Sequence, residues 1–86
     1  MPQISRFFGI IITMYYDDHN PPHFHAKYGG EECLINIIDL SVLDGKLSSR
    51  ASGMVIEWAV AHQSDLLANW ELAKTLQPLR TIDPLQ

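Results

Sequence analysis

Cysteine occurs once in the 86 residues, at Cys33, which excludes an internal disulfide, a zinc ribbon and a dithiol redox pair, since each needs a second sulfur. What remains for Cys33 is the role of a small buried apolar residue in a strand. Basic residues are also few: six Lys and Arg stand against ten Asp and Glu, a formal charge of -4. Arg6, Lys27, Lys46, Arg50, Lys74 and Arg80 are scattered, so nucleic acid is not favoured as a partner, and a footprint for phosphates would have to be assembled by the fold. Long apolar runs are missing. None approaches the roughly 20 residues of a membrane span. The N-terminal PQISRFFGIIITMYY has a single basic residue and no small-residue cleavage site, so it reads as strand and not as a signal. No internal repeat or low-complexity segment is visible, and a cytoplasmic protein is expected.

The chain does hold enough apolar material for a core, at 47% hydrophobic and 19% charged, which argues against disorder. Its length predicts a single domain over residues 1–86. A chain this short buries a modest fraction of its surface, so self-association or a partner subunit would help stabilise it.

Three regions follow from the pattern. Residues 1–47 read as an antiparallel sheet. ISRFF and GIIITMYY are rich in β-branched and aromatic residues and are separated by Gly9, giving one bent strand or two short ones. In the second run Ile10, Ile12, Met14 and Tyr16 share the better core face. FHAKY alternates, with Phe24, Ala26 and Tyr28 facing inward and His23, His25 and Lys27 facing the other way. Gly29-Gly30 then makes a hairpin turn, ECLINII over 32–38 returns, and Asp44-Gly45 suggests a second, short edge hairpin. From Ser48 the period changes to about 3.6, with Ser48 or Ser49 as N-cap. Ala51, Val55, Trp58, His62, Leu66 and Asn69 form one stripe, and Ile56 and Val60 lie nearly opposite. Ser64-Asp65 resembles a second N-cap, which predicts two helices across 48–76 with a break after Gln63. The tail over 77–86 carries Pro78 and Pro84, hence extended backbone. It either lies across its own domain, the plainer reading, or binds a partner.

The segment DDHNPPHFHAKYGG, residues 17–30, concentrates the chemistry. His23 and His25 are two apart on a predicted strand, so their rings leave on the same side with α-carbons roughly 7 Å apart, a gap two imidazoles can span to one metal ion. His19 can fold back beside them across Pro21-Pro22, and Asp17 or Asp18 can add an oxygen ligand or orient a ring. His62, within the helical stripe, would complete the set if it met the sheet. The hypothetical metal ligands are therefore His19, His23, His25 and His62, for a divalent transition ion such as zinc, manganese or nickel. The same imidazoles also suit metal-free acid–base chemistry, with His23, His25 and Asp18 as candidate catalytic groups. The acidic neighbours Asp17, Asp18, Glu31 and Glu32 would repel a phosphate unless a metal neutralised them. Against both stands a structural reading: an Asx-type turn, rigidified by prolines, with histidines hydrogen-bonded to carbonyl oxygens. For His62 a buried, hydrogen-bonded core histidine is the plainer reading. Glu57 and Glu71 read as solvated carboxylates and Trp70 as an apolar anchor.

The segment DDHNPPHFHAKYGG, the isoleucine-rich strand after it, VLDGKL, EWAVAH, ANWELA and the final PL-x-x-I-x-PL together resemble the bacterial family catalogued as domain of unknown function 4160, and the resemblance covers nearly the whole chain. It singles out Asp18, His19, Pro21, Pro22, His23, Phe24 and His25, then Glu57, Trp58 and His62, and Trp70. Gly53 is a departure, since a stronger helix former is expected there, and close packing is one explanation. The resemblance implies a small protein encoded beside another short protein, in toxin–antitoxin-like pairs.

These observations predict an α+β fold, an antiparallel sheet from the N-terminal half packed on one or two C-terminal helices. The leading functional expectation is a protein-binding component of such a pair, with the histidine turn as its functional surface and Trp70, Leu79, Ile82 and Leu85 as partner-binding candidates. The alternative is a metal-assisted hydrolase or nuclease.

Overall fold

A computed structural model describes residues 2–16 and 18–86 of the chain. The fold is α+β: five antiparallel strands precede two helices. The strands are β1 (Gln3–Phe7), β2 (Ile10–Thr13), β3 (His23–Tyr28), β4 (Glu31–Asn36) and β5 (Val42–Gly45), and the helices are α1 (Ser49–Ala61) and α2 (Gln63–Lys74). The sheet order is β1-β2-β3-β4-β5, so each strand pairs with its neighbour in the chain.

Gly9 resolves the first run into two strands. Phe8 and Gly9 both have positive φ, 50° and 80°, the conformation a two-residue hairpin needs to match the strand twist. The register Phe7↔Ile10, Arg6↔Ile11 and Ser5↔Ile12 follows, with an irregularity before Ser5. The Gly29-Gly30 turn sets β3 against β4, pairing Tyr28↔Glu31, Lys27↔Glu32, Ala26↔Cys33, His25↔Leu34, Phe24↔Ile35 and His23↔Asn36. Ile10, Ile12, Phe24, Ala26, Cys33 and Ile35 are buried on one face. Cys33 thus takes the apolar place expected of it, and burial followed by the nearby Glu32 charge pushes its thiol pKa up. Tyr16 and Tyr28, expected on the core side, lie at the ends of their runs and are exposed.

Asp44-Gly45 is not a hairpin turn. The reversal lies upstream, between β4 and β5, where Asn36 Oδ1 accepts from the Ile38 N–H and Asp39 Oδ1 accepts from the Ser41 N–H and hydroxyl. These side chains do the work that glycine or proline does in other turns. Gly45 instead ends β5 at φ 72°, opposite Cys33. A Cβ there would overlap the Glu32 carbonyl oxygen and approach the Cys33 α-carbon to 3.1 Å. The glycine is demanded by the neighbouring strand.

Ser48 caps α1, its hydroxyl accepting from the Ala51 N–H. Ala51, Val55, Trp58 and Ala59 are buried along α1 and Leu66, Asn69, Trp70 and Ala73 along α2, as the stripe predicts. The helices part at His62, whose φ of -124° leaves the helical region. The Trp58 ring packs on Phe7 and Phe24, with centroids at 5.4 and 5.9 Å.

The tail lies across its own chain. Ile82 N–H donates to the Ile4 carbonyl, Trp58 Nε1–H donates to the Asp83 carbonyl, and the Asn69 amide both donates to the Arg80 carbonyl and accepts from its N–H. Trp70 and Ile82 are buried, and Leu79 and Leu85 are partly buried against the core. Among the described residues no helix is long and apolar enough to cross a membrane.

Gly53 is exposed on α1, and a Cβ built there meets nothing within 4 Å, so close packing does not account for it. Gly53→Ala should therefore raise stability by about 0.4–1 kcal/mol, through reduced freedom of the unfolded chain and better helix propensity. Gly45→Ala should lower it by more than that, because the clash is with backbone. Urea unfolding midpoints at constant m-value check both.

Candidate functional site

The site is built by the crossing from β2 to β3 and the first residues of β3. The chain bends at Asn20 and Pro21, across a cis peptide bond, and Pro22 leads into β3; the Ile37 N–H donates to the Pro22 carbonyl, tying the approach to the end of β4. His23 and His25 then leave the strand on the same side, with ring centroids 5.3 Å apart. Asp18 comes down from the crossing to meet them.

One ligand atom from each of Asp18, His23 and His25 lies within 4.8 Å of the others. His23 Nε2 is 3.0 Å and His25 Nε2 is 3.7 Å from Asp18 Oδ2. Both separations are within the roughly 4 Å spanned by two ligands that each sit about 2.0–2.2 Å from one ion. His19 is exposed and outside this group. His62 is also outside it; its Nδ1 faces Asp65 Oδ2 at 3.4 Å and its ring packs on Trp58. It lines a separate cavity of about 180 Å³ with Asn69, Arg80 and Asp83. Asp17, the other carboxylate considered, lies outside the described residues.

The outer nitrogens of the two rings are both committed. His23 Nδ1 is 2.8 Å from the Pro21 carbonyl oxygen. A carbonyl only accepts, so this nitrogen carries hydrogen. His25 Nδ1 is 3.0 Å from Glu32 Oε2, and a carboxylate fixes the same tautomer. Both Nε2 atoms are thereby turned toward Asp18. The rings are also walled in, since Tyr15 and His25 form a T-shaped pair at 4.4 Å and Trp70 lies 5.3 Å from His23. The side chains of His23 and His25 are 7% and 14% exposed against 24% for Asp18, so the cluster opens to solvent on the carboxylate side.

The hydrogen-bond geometry calls for a proton or an ion in this cluster. His23 Nε2 sits beside a carboxylate oxygen while Nδ1–H is already spent, so either a proton or a metal ion must lie between them. A proton there satisfies His23 alone. His25 Nε2 stays buried without a hydrogen-bond partner among the described residues, because 3.7 Å to Asp18 is beyond hydrogen-bonding reach. One ion would satisfy all three groups.

Asp18 records the same field. Desolvation raises its pKa, but the His19 N–H, the electrostatic influence of His23, hydrogen bonding to that ring and the nearness of the His25 ring together outweigh it, and the net shift is downward from 3.8. Its ionised form is held more tightly in the folded state than in the unfolded one.

Glu32 and Trp70 enter this site in ways the sequence reading did not assign. The signal for Glu32 was the hairpin register: a two-residue turn at Gly29-Gly30 puts Glu32 opposite Lys27 and diagonal to His25. No comparable local signal links Trp70 to His23.

The family model described as Domain of unknown function (DUF4160) matches residues 9–71, the greater part of the chain. The chain belongs to this family. The DUF4160 match takes in Asp18, His23, His25 and Glu32 together with Trp58, His62 and Trp70, and ends before the tail. Comparison with curated proteins and with solved structures returns no match.

The downward shift of Asp18 has a pH consequence. A carboxylate whose folded pKa is depressed contributes stability that is present above its unfolded value, near 3.8, and is lost as pH falls through the folded one. The stability difference between wild type and Asp18→Asn, measured by urea unfolding in EDTA, should shrink as pH falls below 3.8 and through the lower folded-state value. A difference independent of pH would contradict the assignment.

Proposed function

We propose that the protein holds a divalent transition-metal ion on Asp18, His23 and His25 and acts as a metal-assisted hydrolase, a nuclease being one form of it. The observation that supports this reading is the buried Nε2 of His25, which has no hydrogen-bond partner among the described residues and lies beside a second Nε2 and a carboxylate. Two imidazoles and one carboxylate suit zinc, manganese or nickel. Three protein ligands leave a position for water, whose pKa the ion would lower toward neutrality. Asp18, the most exposed of the three, lies where that water and a substrate would enter. The ion would also offset the acidic surroundings that repel a phosphate.

A second reading is favoured by a different observation. The β1 edge of the sheet is closed by the tail, whereas every residue of β5 is exposed and Ile38, Val42 and Leu43 are 59%, 54% and 42% accessible. An open edge with apolar side chains invites a partner. In this reading the protein is a cytoplasmic, bacterial component of a toxin–antitoxin-like or regulatory pair, binding a short protein encoded nearby.

Elemental analysis of the purified protein tests the first reading. Stoichiometric zinc, manganese or nickel is expected, retained by His19→Ala and His62→Ala and lost from His23→Ala/His25→Ala. A metal-free protein that takes up none of these ions and is inert on RNA and DNA would retire it. For the second reading, the neighbour-encoded protein should co-elute with wild type and separate from a Val42→Arg/Leu43→Arg variant. A monomer in its presence would count against it.

A further inference from the structure

Resting on the metal reading above, we infer that Glu32 is a positioning residue for that centre: it holds His25 in the tautomer that offers Nε2 to the ion and thereby sets the affinity of the site. The two histidines are supported unequally. His23 is held within its own segment, by the Pro21 carbonyl two residues away. His25 instead takes a carboxylate from the next strand, with Glu32 Oε2 3.0 Å from Nδ1.

The difference matters because a neutral imidazole can place its hydrogen on either nitrogen. If it sat on Nε2, the ring would offer the ion no lone pair and would meet the cluster with a donor. A carboxylate at Nδ1 excludes that arrangement and makes Nε2 a stronger electron donor, as in other carboxylate–histidine–metal arrangements. Tyr15 limits ring rotation by its T-shaped contact at 4.4 Å. Among the described residues Glu32 adds a second carboxylate to that of Asp18, matching a divalent ion. Lys27 lies directly opposite Glu32 in the β3–β4 register, yet among the described residues Glu32 forms its ion pair with His25.

The test compares wild type, Glu32→Gln, Glu32→Ala and Glu31→Gln as intact, folded proteins. Zinc affinity is measured by competition with a chromophoric chelator, and the His25 tautomer is read from imidazole nitrogen shifts in the metal-free protein. Wild type should bind zinc and carry the His25 proton on Nδ1. Glu32→Ala should weaken binding roughly 10- to 100-fold and mix the tautomers. Glu32→Gln, whose amide oxygen still accepts a hydrogen bond, should keep the tautomer and lose part of the affinity. Glu31→Gln makes the same change in net charge one residue away and should leave both readouts unchanged.

If wild type binds zinc and Glu32→Ala binds it as tightly, the role of Glu32 is overturned while the metal centre stands. An equal loss in Glu31→Gln and Glu32→Gln with no tautomer change would also overturn it, since net charge would then be the cause. Failure of wild type to bind zinc, manganese or nickel would overturn the centre itself.

Discussion

The indole of Trp58 joins the three parts of this molecule. Its ring is fully buried from α1 against Phe7 of β1 and Phe24 of β3, and touches His62 where the helices part. Its one polar atom cannot remain unpaired in that position without a cost of roughly 1–3 kcal/mol, and the Asp83 carbonyl supplies the partner at 2.7 Å. The apolar body of the side chain therefore fixes the helix on the sheet, while the N–H fixes the tail on the helix. Phe24 lies between His23 and His25 in sequence and points to the opposite face. Anchoring Phe24 under Trp58 is what turns the two imidazoles outward together.

Much of the fold was legible because period and burial coincide. Alternation over Phe24–Tyr28 and the change to a 3.6 period after Ser48 are local patterns, and Ser48 caps its helix by a local bond. The misreading at Asp44-Gly45 has a physical cause. A glycine beside an aspartate signals a turn when local backbone freedom is its purpose, but Gly45 is required by the Glu32 carbonyl on the adjacent strand. The true turn contains neither glycine nor proline and rests on the side chains of Asn36 and Asp39. Leu40, at φ 59°, is a residue type that gives no hint of a left-handed conformation.

The candidate site was legible in proportion to how local its geometry is. The common side of His23 and His25 follows from strand spacing alone, and the bond from His23 to Pro21 spans two residues. Convergence with Asp18 depends on the path of the crossing, which spacing does not determine. His19 was as close in sequence and lies outside the cluster. His62 sits in a helical stripe that does face inward, yet its position at the helix break directs it to Asp65 and the tail. Glu32 was weighed only as a charge, because its contact with His25 exists through cross-strand registry.

The sheet is a meander whose spatial order repeats its chain order, and this bears on how the protein assembles. Each pairing closes a short loop, so the strands can zip in succession at small entropic cost. The contacts from Ile82 to Ile4 and from Asp83 to Trp58 span most of the chain or a helix pair. Their large loop-closure cost places them late in the expected order of assembly, as a latch. A latch formed after the rate-limiting step governs how slowly the native state comes apart more than how quickly it forms.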